Sequence, residues 1–272
     1  MKIFITGLIL LCFIIGSAQT IQLGAGNTTN GRRVSSPVNI WYRRVVSQFV
    51  YTAAEINAGG VSGEAMLSDF GFYVTQVPIY NIPNYTIKMK NVSVTNVASV
   101  IPQNGWTEVK AAHTYSPSAG GYDMFSLDTP FYWDGVSNIA VEICWSQISP
   151  NYNASGRLRE YNATNGYRYS WTDSGGNSCG ETPGTTRNRK PQCQIEFTPV
   201  LTSFWTGNIN TDWFNAGNWT SGVPLKSINA QIPSGLSNYP VIVGGGAEVK
   251  SILIESSASI STEGTLSVYE IG

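Results

Sequence analysis

Charge is scarce in this chain: 12% of its residues are Asp, Glu, Lys or Arg, and 16 basic against 17 acidic side chains leave a formal charge of −1. A near-neutral surface without a long basic stripe excludes a nucleic-acid partner held by phosphate neutralisation. The small clusters Arg32-Arg33, Arg43-Arg44 and Arg187, Arg189, Lys190 read as solvated loops. Histidine is rarer still, and His113 stands alone. A Ser-His-Asp or Cys-His set would have to use it, yet no Gly-x-Ser-x-Gly elbow accompanies it, so no catalytic residue is assigned. One histidine with scattered cysteines lacks zinc spacing. No loop of alternating Asp and Asn marks calcium, although Asp123, Asp128 and Asp134 lie near turns. Neither metal nor cofactor is expected.

Helix-period stretches rich in Glu, Lys and Leu are missing too, and only one long apolar run exists. Ile3 to Ile15 follows Met1-Lys2 and ends at Gly16-Ser17-Ala18-Gln19. That arrangement predicts a secretory signal peptide over residues 1–19, too short to cross a bilayer core of about 30 Å. The mature chain then begins near Gln19 or Thr20, has no transmembrane segment, and works outside the cell or on its outer surface. Cys12 goes with the leader, since Leu11 stands where lipid attachment requires a small residue. Three cysteines remain: Cys144, Cys179 and Cys193. Outside the cell one pair oxidises. Loop-closure entropy separates Cys144–Cys179 from Cys179–Cys193 by only about 1 kcal/mol. The first pairing is preferred because it ties a long Gly-rich segment back to a strand, leaving Cys193 as a small buried hydrophobe.

What is abundant is Gly, Ser, Thr, Asn and aromatic residues, the composition of an all-β exported protein. Strand patterns recur at residues 48–52, 70–77, 85–94, 107–113, 123–127, 138–145, 166–172 and 192–198, enough for a jelly-roll-like β-sandwich over residues 20–199. Thr52-Ala53-Ala54-Glu55 reads as a capping box opening a helix of a turn or two that stops at Gly59-Gly60. Residues 130–138, with Pro130 and Asp134-Gly135, read as a loop feeding a central strand. In that strand Ile139, Val141, Ile143 and Trp145 face one way and Ala140, Glu142 and Cys144 the other.

The pattern changes at about Pro199, where Trp205, Trp213 and Trp219 mark a second module over residues 200–272. Short strands follow at 241–243, 249–254, 258–262 and 265–270. Stacked as coils of a β-helix-like repeat, they would turn Ile252, Ile254, Ile260, Leu266 and Val268 inward. The chain stops at Gly272 without a polar cap, which predicts that it is a piece of a longer protein.

Several motifs resemble those of the large secreted adhesin-like surface proteins that gliding bacteria export by the type IX pathway. In the first module they are Tyr51-Thr52-Ala53-Ala54-Glu55-Ile56, Ser126-Leu127-Asp128-Thr129-Pro130-Phe131, Asp134-Gly135, Val141-Glu142-Ile143-Cys144 and Cys179. In the second they are Trp205-Thr206-Gly207, Asp212-Trp213, Asn218-Trp219 and Gly222-Val223-Pro224. The resemblance implies an N-terminal jelly-roll-like module, then adhesin-like repeats, then a sorting domain that this sequence does not contain. It implies architecture more than activity.

Two constellations remain. A glycosidase needs only two carboxylates, and Glu142 in the central strand is the most prominent candidate; its ordinary reading is a charge on a solvated face or the partner of an Arg. The aromatics point to recognition. Tyr167, Tyr169 and Trp171 share one strand face and Trp145 stands nearby, so these four are the candidate ligand-binding residues. The competing reading makes that face the inner wall of the sandwich. Trp205, Trp213 and Trp219 read as packing over the first coil. Six Asn-x-Ser/Thr sequons, Asn218 among them, are expected to stay bare in a bacterial export context. The sequence thus predicts a non-catalytic surface protein that recognises an extracellular carbohydrate or protein. Its alternative is an accessory carbohydrate-binding module of a larger secreted polysaccharide-degrading enzyme.

Overall fold

The computed structural model describes residues 17–146, 151–174 and 179–269. The expected leader, with Cys12, lies outside the described residues apart from its last three positions. The first module comprises strands β1 (Gln19–Leu23), β2 (Thr28–Thr29), β3 (Arg44–Tyr51), β4 (Ala65–Gln76), β5 (Ile82–Val92), β6 (Thr107–Tyr115), β7 (Gly121–Trp133), β8 (Asn138–Ser146), β9 (Arg157–Thr172), β10 (Thr185–Pro191) and β11 (Cys193–Pro199), with one helix, α1 (Ala53–Ala58). They form one curled antiparallel sheet in the order β1-β11-β4-β9-β3-β8-β5-β6. Strand β7 lies beside β4, and β2 and β10 lie beside β9. Strand β9 turns the corner. Its Leu158 pairs with Val74 in one half, while Tyr167 to Thr172 run along β3 in the other.

The two halves of the sheet thus face each other as a sandwich. Alternation along the strands fills the space between them: Leu67, Phe70 and Phe72 from one wall meet Phe49, Val141 and Ile143 from the other. Each such side chain contributes roughly 2 to 3 kcal/mol by leaving water, and edge-to-face rings (Phe49 on Phe72, Phe70 on Phe72) set their orientations. Helix α1 is opened by the expected capping box, with Thr52 accepting from the Glu55 N–H and Glu55 from the Thr52 N–H.

Both faces of β8 are buried. Ile139, Val141, Ile143 and Trp145 enter the main core, and Ala140, Glu142 and Cys144 are covered on the outside. Two segments supply that cover. Residues 93–106 bring Val97 and Ile101 against Val50 and Ala140, and Cys179 is bonded to Cys144 with their Cα atoms 5.2 Å apart. Such a bond belongs to an oxidising compartment. Cys193 is a free, buried thiol.

The structure differs from the sequence reading at several places. Strand β7 runs on to Trp133, so Pro130 lies within it. Register slips between Leu67 and Asp69 of β4, and Pro130 falls in that bulge, where no ladder N–H is required. Only Asp134 to Ser137 form the turn, with Gly135 at φ 79°. Strands β1, β2 and β10 have no counterpart in the pattern; β10 reads Thr-Thr-Arg-Asn-Arg-Lys-Pro and buries only Lys190 and Pro191.

The second module is a parallel coil. Its strands are β12 (Thr202–Phe204), β13 (Asn229–Ile232), β14 (Val241–Ile242), β15 (Gly246–Val249), β16 (Ile252–Ile254), β17 (Ser261–Thr262) and β18 (Thr265–Val268). Strand β13 lies between β12 and β16, β14 pairs with β17 and β15 with β18, all parallel, as coils of a β-helix require. The expected single strand 249–254 is broken by a corner at Lys250-Ser251. Ile252, Ile260 and Leu266 pack against the coil's interior. Ile254 and Val268 lie in register with buried Ile232 and Val249 yet remain exposed, a departure from the expected burial that follows from their place in the last described coil. Apolar packing also separates the modules: one cluster ends at Phe197 and the other starts at Trp205.

Candidate functional site

The four aromatics expected to bind ligand have different fates. On β9, Tyr167, Tyr169 and Trp171 stand opposite Phe49, Ser47 and Val45 of β3. Their shared face is therefore the inner wall. Tyr167 is fully buried and stacks on Phe49, with ring centroids 5.8 Å apart. Trp145 is fully buried beside Tyr85. Neither can present a face to a ligand, which corrects the sequence assignment for both. Tyr169 is half-buried against the core. The inner wall runs out of cover at the strand's end, and Trp171 emerges with 46% of its surface exposed.

What meets Trp171 there is Tyr42, stacked on it at 3.7 Å with 14° between the planes. The Tyr42 hydroxyl donates to the Arg33 carbonyl at 3.3 Å. Burial, then the Asp173 carboxylate, push its pKa up, so it stays protonated as a donor. Next to it Trp41 carries two guanidinium groups over its ring, Arg32 at 5.1 Å and Arg33 at 4.7 Å. Arg43 lies over Tyr152 at 5.3 Å, and its N–H donates to Asp173. Arg44 pairs with Glu181 at 2.6 Å. The cluster at Arg32-Arg33 is therefore no free-standing solvated loop, as the sequence had suggested.

Asn39, which the sequence reading passed over, holds this surface together. Fully buried, it donates from Nδ2 to the carbonyls of Arg32 (3.0 Å) and Val34 (2.9 Å) and accepts the Trp41 N–H on Oδ1 at 2.9 Å. The loop bearing the two arginines is thereby fixed to the turn before β3 that bears the indole. Ser155 Oγ donates to the Arg32 carbonyl as well. The sequence signal was Trp41-Tyr42 beside Arg43-Arg44 just before a strand.

The other candidates are engaged in holding the fold. Glu142 is fully buried, contrary to the solvated face expected for it. Its Oε2 accepts from Gln48 and Gln103 Nε2, both at 2.8 Å, and Lys88 stands at 3.4 Å from Oε1. Asp123 accepts from Tyr115 and Ser118, Asp128 from Lys110 and Ala111, and Asp134 from Val136 and Ser137. Asp123 and Asp134 thus serve local turns, and Asp128 ties β7 to β6. His113 lies on β6 with Nδ1 2.9 Å from the Ala111 carbonyl. A recess of about 600 Å³ runs along Lys90–Pro102 and another of about 510 Å³ along Asn210–Phe214; neither is lined by a pair of carboxylates. Among the described residues no group of three or more His, Cys, Asp or Glu side chains is placed to hold a metal, and no helix is long and apolar enough to cross a membrane.

In the coil module Trp205, Trp213 and Trp219 are buried in edge-to-face contact, at 5.1 and 4.7 Å, and cover the first coil as expected. Buried Asn218 accepts the N–H groups of Ile209 and Asn210 and donates to the Asp212 carbonyl, so the Asn-Trp pair organises the loop that carries the tryptophans.

No protein-family model matches this chain, and no curated protein does. Among solved structures it is similar to the cysteine protease and lectin-like domains of Cwp84, a surface layer associated protein of Clostridium difficile. The similarity has a TM-score of 0.35 and 12% identity, and covers 58% of this chain and 32% of that one.

Proposed function

We propose that this chain is a non-catalytic recognition protein of the outer cell surface, and that the end of its sandwich around Trp171, Tyr42 and Trp41 contacts an extracellular carbohydrate. The observation that carries this reading is Trp171 itself: a large indole left open at the end of a strand whose earlier aromatics are core, and already stacked on a tyrosine. A flat ring braced in this way can receive the apolar face of a sugar with little reorganisation. The motifs shared with type IX surface proteins support the placement at the cell surface. In that architecture the parallel coil carries the sandwich away from its attachment.

Binding of the whole protein to immobilised polysaccharides tests the reading. Trp171→Ala is expected to weaken binding about tenfold, the loss of roughly 1 to 1.5 kcal/mol of ring contact, while the thermal midpoint falls by only a few degrees with the lost stacking on Tyr42 and the fold is kept. Retained binding in that variant, or release of sugar by the purified chain, would end it.

A further inference from the structure

We infer that the rim formed by Arg32, Arg33 and Trp41 beside Trp171 selects acidic polysaccharides, chains whose sugars carry carboxylate or sulfate groups. The inference rests on the recognition role proposed above and adds the class of ligand.

Arg32 and Arg33 are exposed, and both guanidinium groups lie over the Trp41 ring. The ion pairs among the described residues are made by Arg44, Lys88, Lys110, Arg187 and Lys190. Among the described residues neither rim arginine forms an ion pair with a carboxylate. Asp173, which also acts on Tyr42, accepts the Arg43 backbone N–H, and Glu181 pairs with Arg44. The rim is therefore positive on a chain whose formal charge is −1.

A guanidinium held over an indole keeps N–H groups for a planar or tetrahedral oxyanion, which it can grip with two parallel hydrogen bonds. The loop cannot swing freely, because Asn39 ties the Arg32 and Val34 carbonyls to the Trp41 N–H. Tyr42 joins the two halves of the surface, its hydroxyl on the Arg33 carbonyl and its ring on Trp171. An open indole for the sugar face, next to fixed cationic forks for the sugar's substituent, matches an acidic glycan better than a neutral one. It also matches better than a peptide, whose charged side chains would leave the indole unfilled.

The test uses matched pairs on the whole protein: polygalacturonate against its fully methyl-esterified form, dextran sulfate against dextran, and poly-glutamate as a charged chain without sugar rings. At least one charged polysaccharide is expected to bind about tenfold more tightly than its neutral counterpart and than poly-glutamate. Which pair shows the preference identifies the anion as carboxylate or sulfate. The double substitution Arg32→Gln, Arg33→Gln should remove that preference, since two exposed charge contacts together account for about tenfold. Trp171→Ala should weaken both members of a pair alike. Equal binding of charged and neutral forms would overturn the inference and leave the recognition role standing. Poly-glutamate binding as tightly, or a preference that survives the double substitution with an unchanged melting midpoint, would also overturn it. Failure of every polysaccharide to bind would remove the recognition role along with it.

Discussion

Cutting the Cys144–Cys179 bond should cost the sandwich about 4 kcal/mol. The two residues are 35 apart in sequence, and releasing a loop of that length returns about 13 cal/mol/K of conformational entropy to the unfolded chain. The contacts of the segment carrying Cys179 near β8 include the Arg44–Glu181 pair and Gln103 Nε2 donating to the Glu181 carbonyl at 3.1 Å. A partly exposed ion pair and a single hydrogen bond are each worth about 1 kcal/mol or less. With the bond gone the segment should leave the outer face of β8, exposing Gln103 and Glu142 to water. The assay is urea unfolding of the wild type and of the double variant Cys144→Ala, Cys179→Ala, followed by near-UV circular dichroism. For an m-value of about 3 kcal/mol/M the midpoint should fall by about 1.3 M. A loss below about 1 kcal/mol would refute the entropic argument, and a non-reducing peptide map joining Cys179 to Cys193 would refute the pairing.

Glu142→Ala should destabilise by about 3 kcal/mol, because it takes an acceptor from the buried Gln48 amide and the half-buried Gln103 amide and the partner from Lys88, whereas Glu142→Gln keeps an acceptor and should cost about 1; equal melting midpoints for the two would count against the buried network. Burial alone would raise the Glu55 carboxyl, but Lys190 at 2.8 Å, with the Thr52 N–H and the Tyr161 hydroxyl, outweighs it and holds the pKa below its ordinary 4.5. Its contribution is therefore complete above pH 4.5 and disappears as acid takes the pH down through the lowered value, so the stability gap between wild type and Glu55→Gln should shrink below pH 4.5; a gap constant from pH 7 to pH 3 would contradict this. Trp213→Ala should cost the coil module about 3 to 5 kcal/mol, and an unchanged unfolding transition there would show that the tryptophans do not close the first coil.

Alternation was the readable signal. Ile139, Val141, Ile143 and Trp145 declared β8, and a capping box declared α1, because both signals are local. Strand β10 was hidden since its polar residues pair with β9 without entering the core, and a ladder hydrogen bond needs no particular side chain. The site was half legible for a related reason. Period 2 puts Tyr167, Tyr169 and Trp171 on one face, but nothing local says where along β9 the opposite wall ends. Tyr42, Trp41 and Asn39 come from before β3, and only the pairing of β3 with β9 brings them to Trp171. Glu142 misled because an acid in an alternating strand ordinarily faces water. Here the segment at 93–106 covers that face, a contact distant in sequence.

The chain contains eight tryptophans, at 41, 106, 133, 145, 171, 205, 213 and 219, and their indole N–H signals in a ¹⁵N-labelled sample report which of them meets a ligand. Titration with a bound polysaccharide should shift the signals of Trp41 and Trp171 and leave the other six in place. Shifts centred on Trp106 or on the coil tryptophans, with Trp171 unmoved, would show that recognition does not lie at the end of the sandwich.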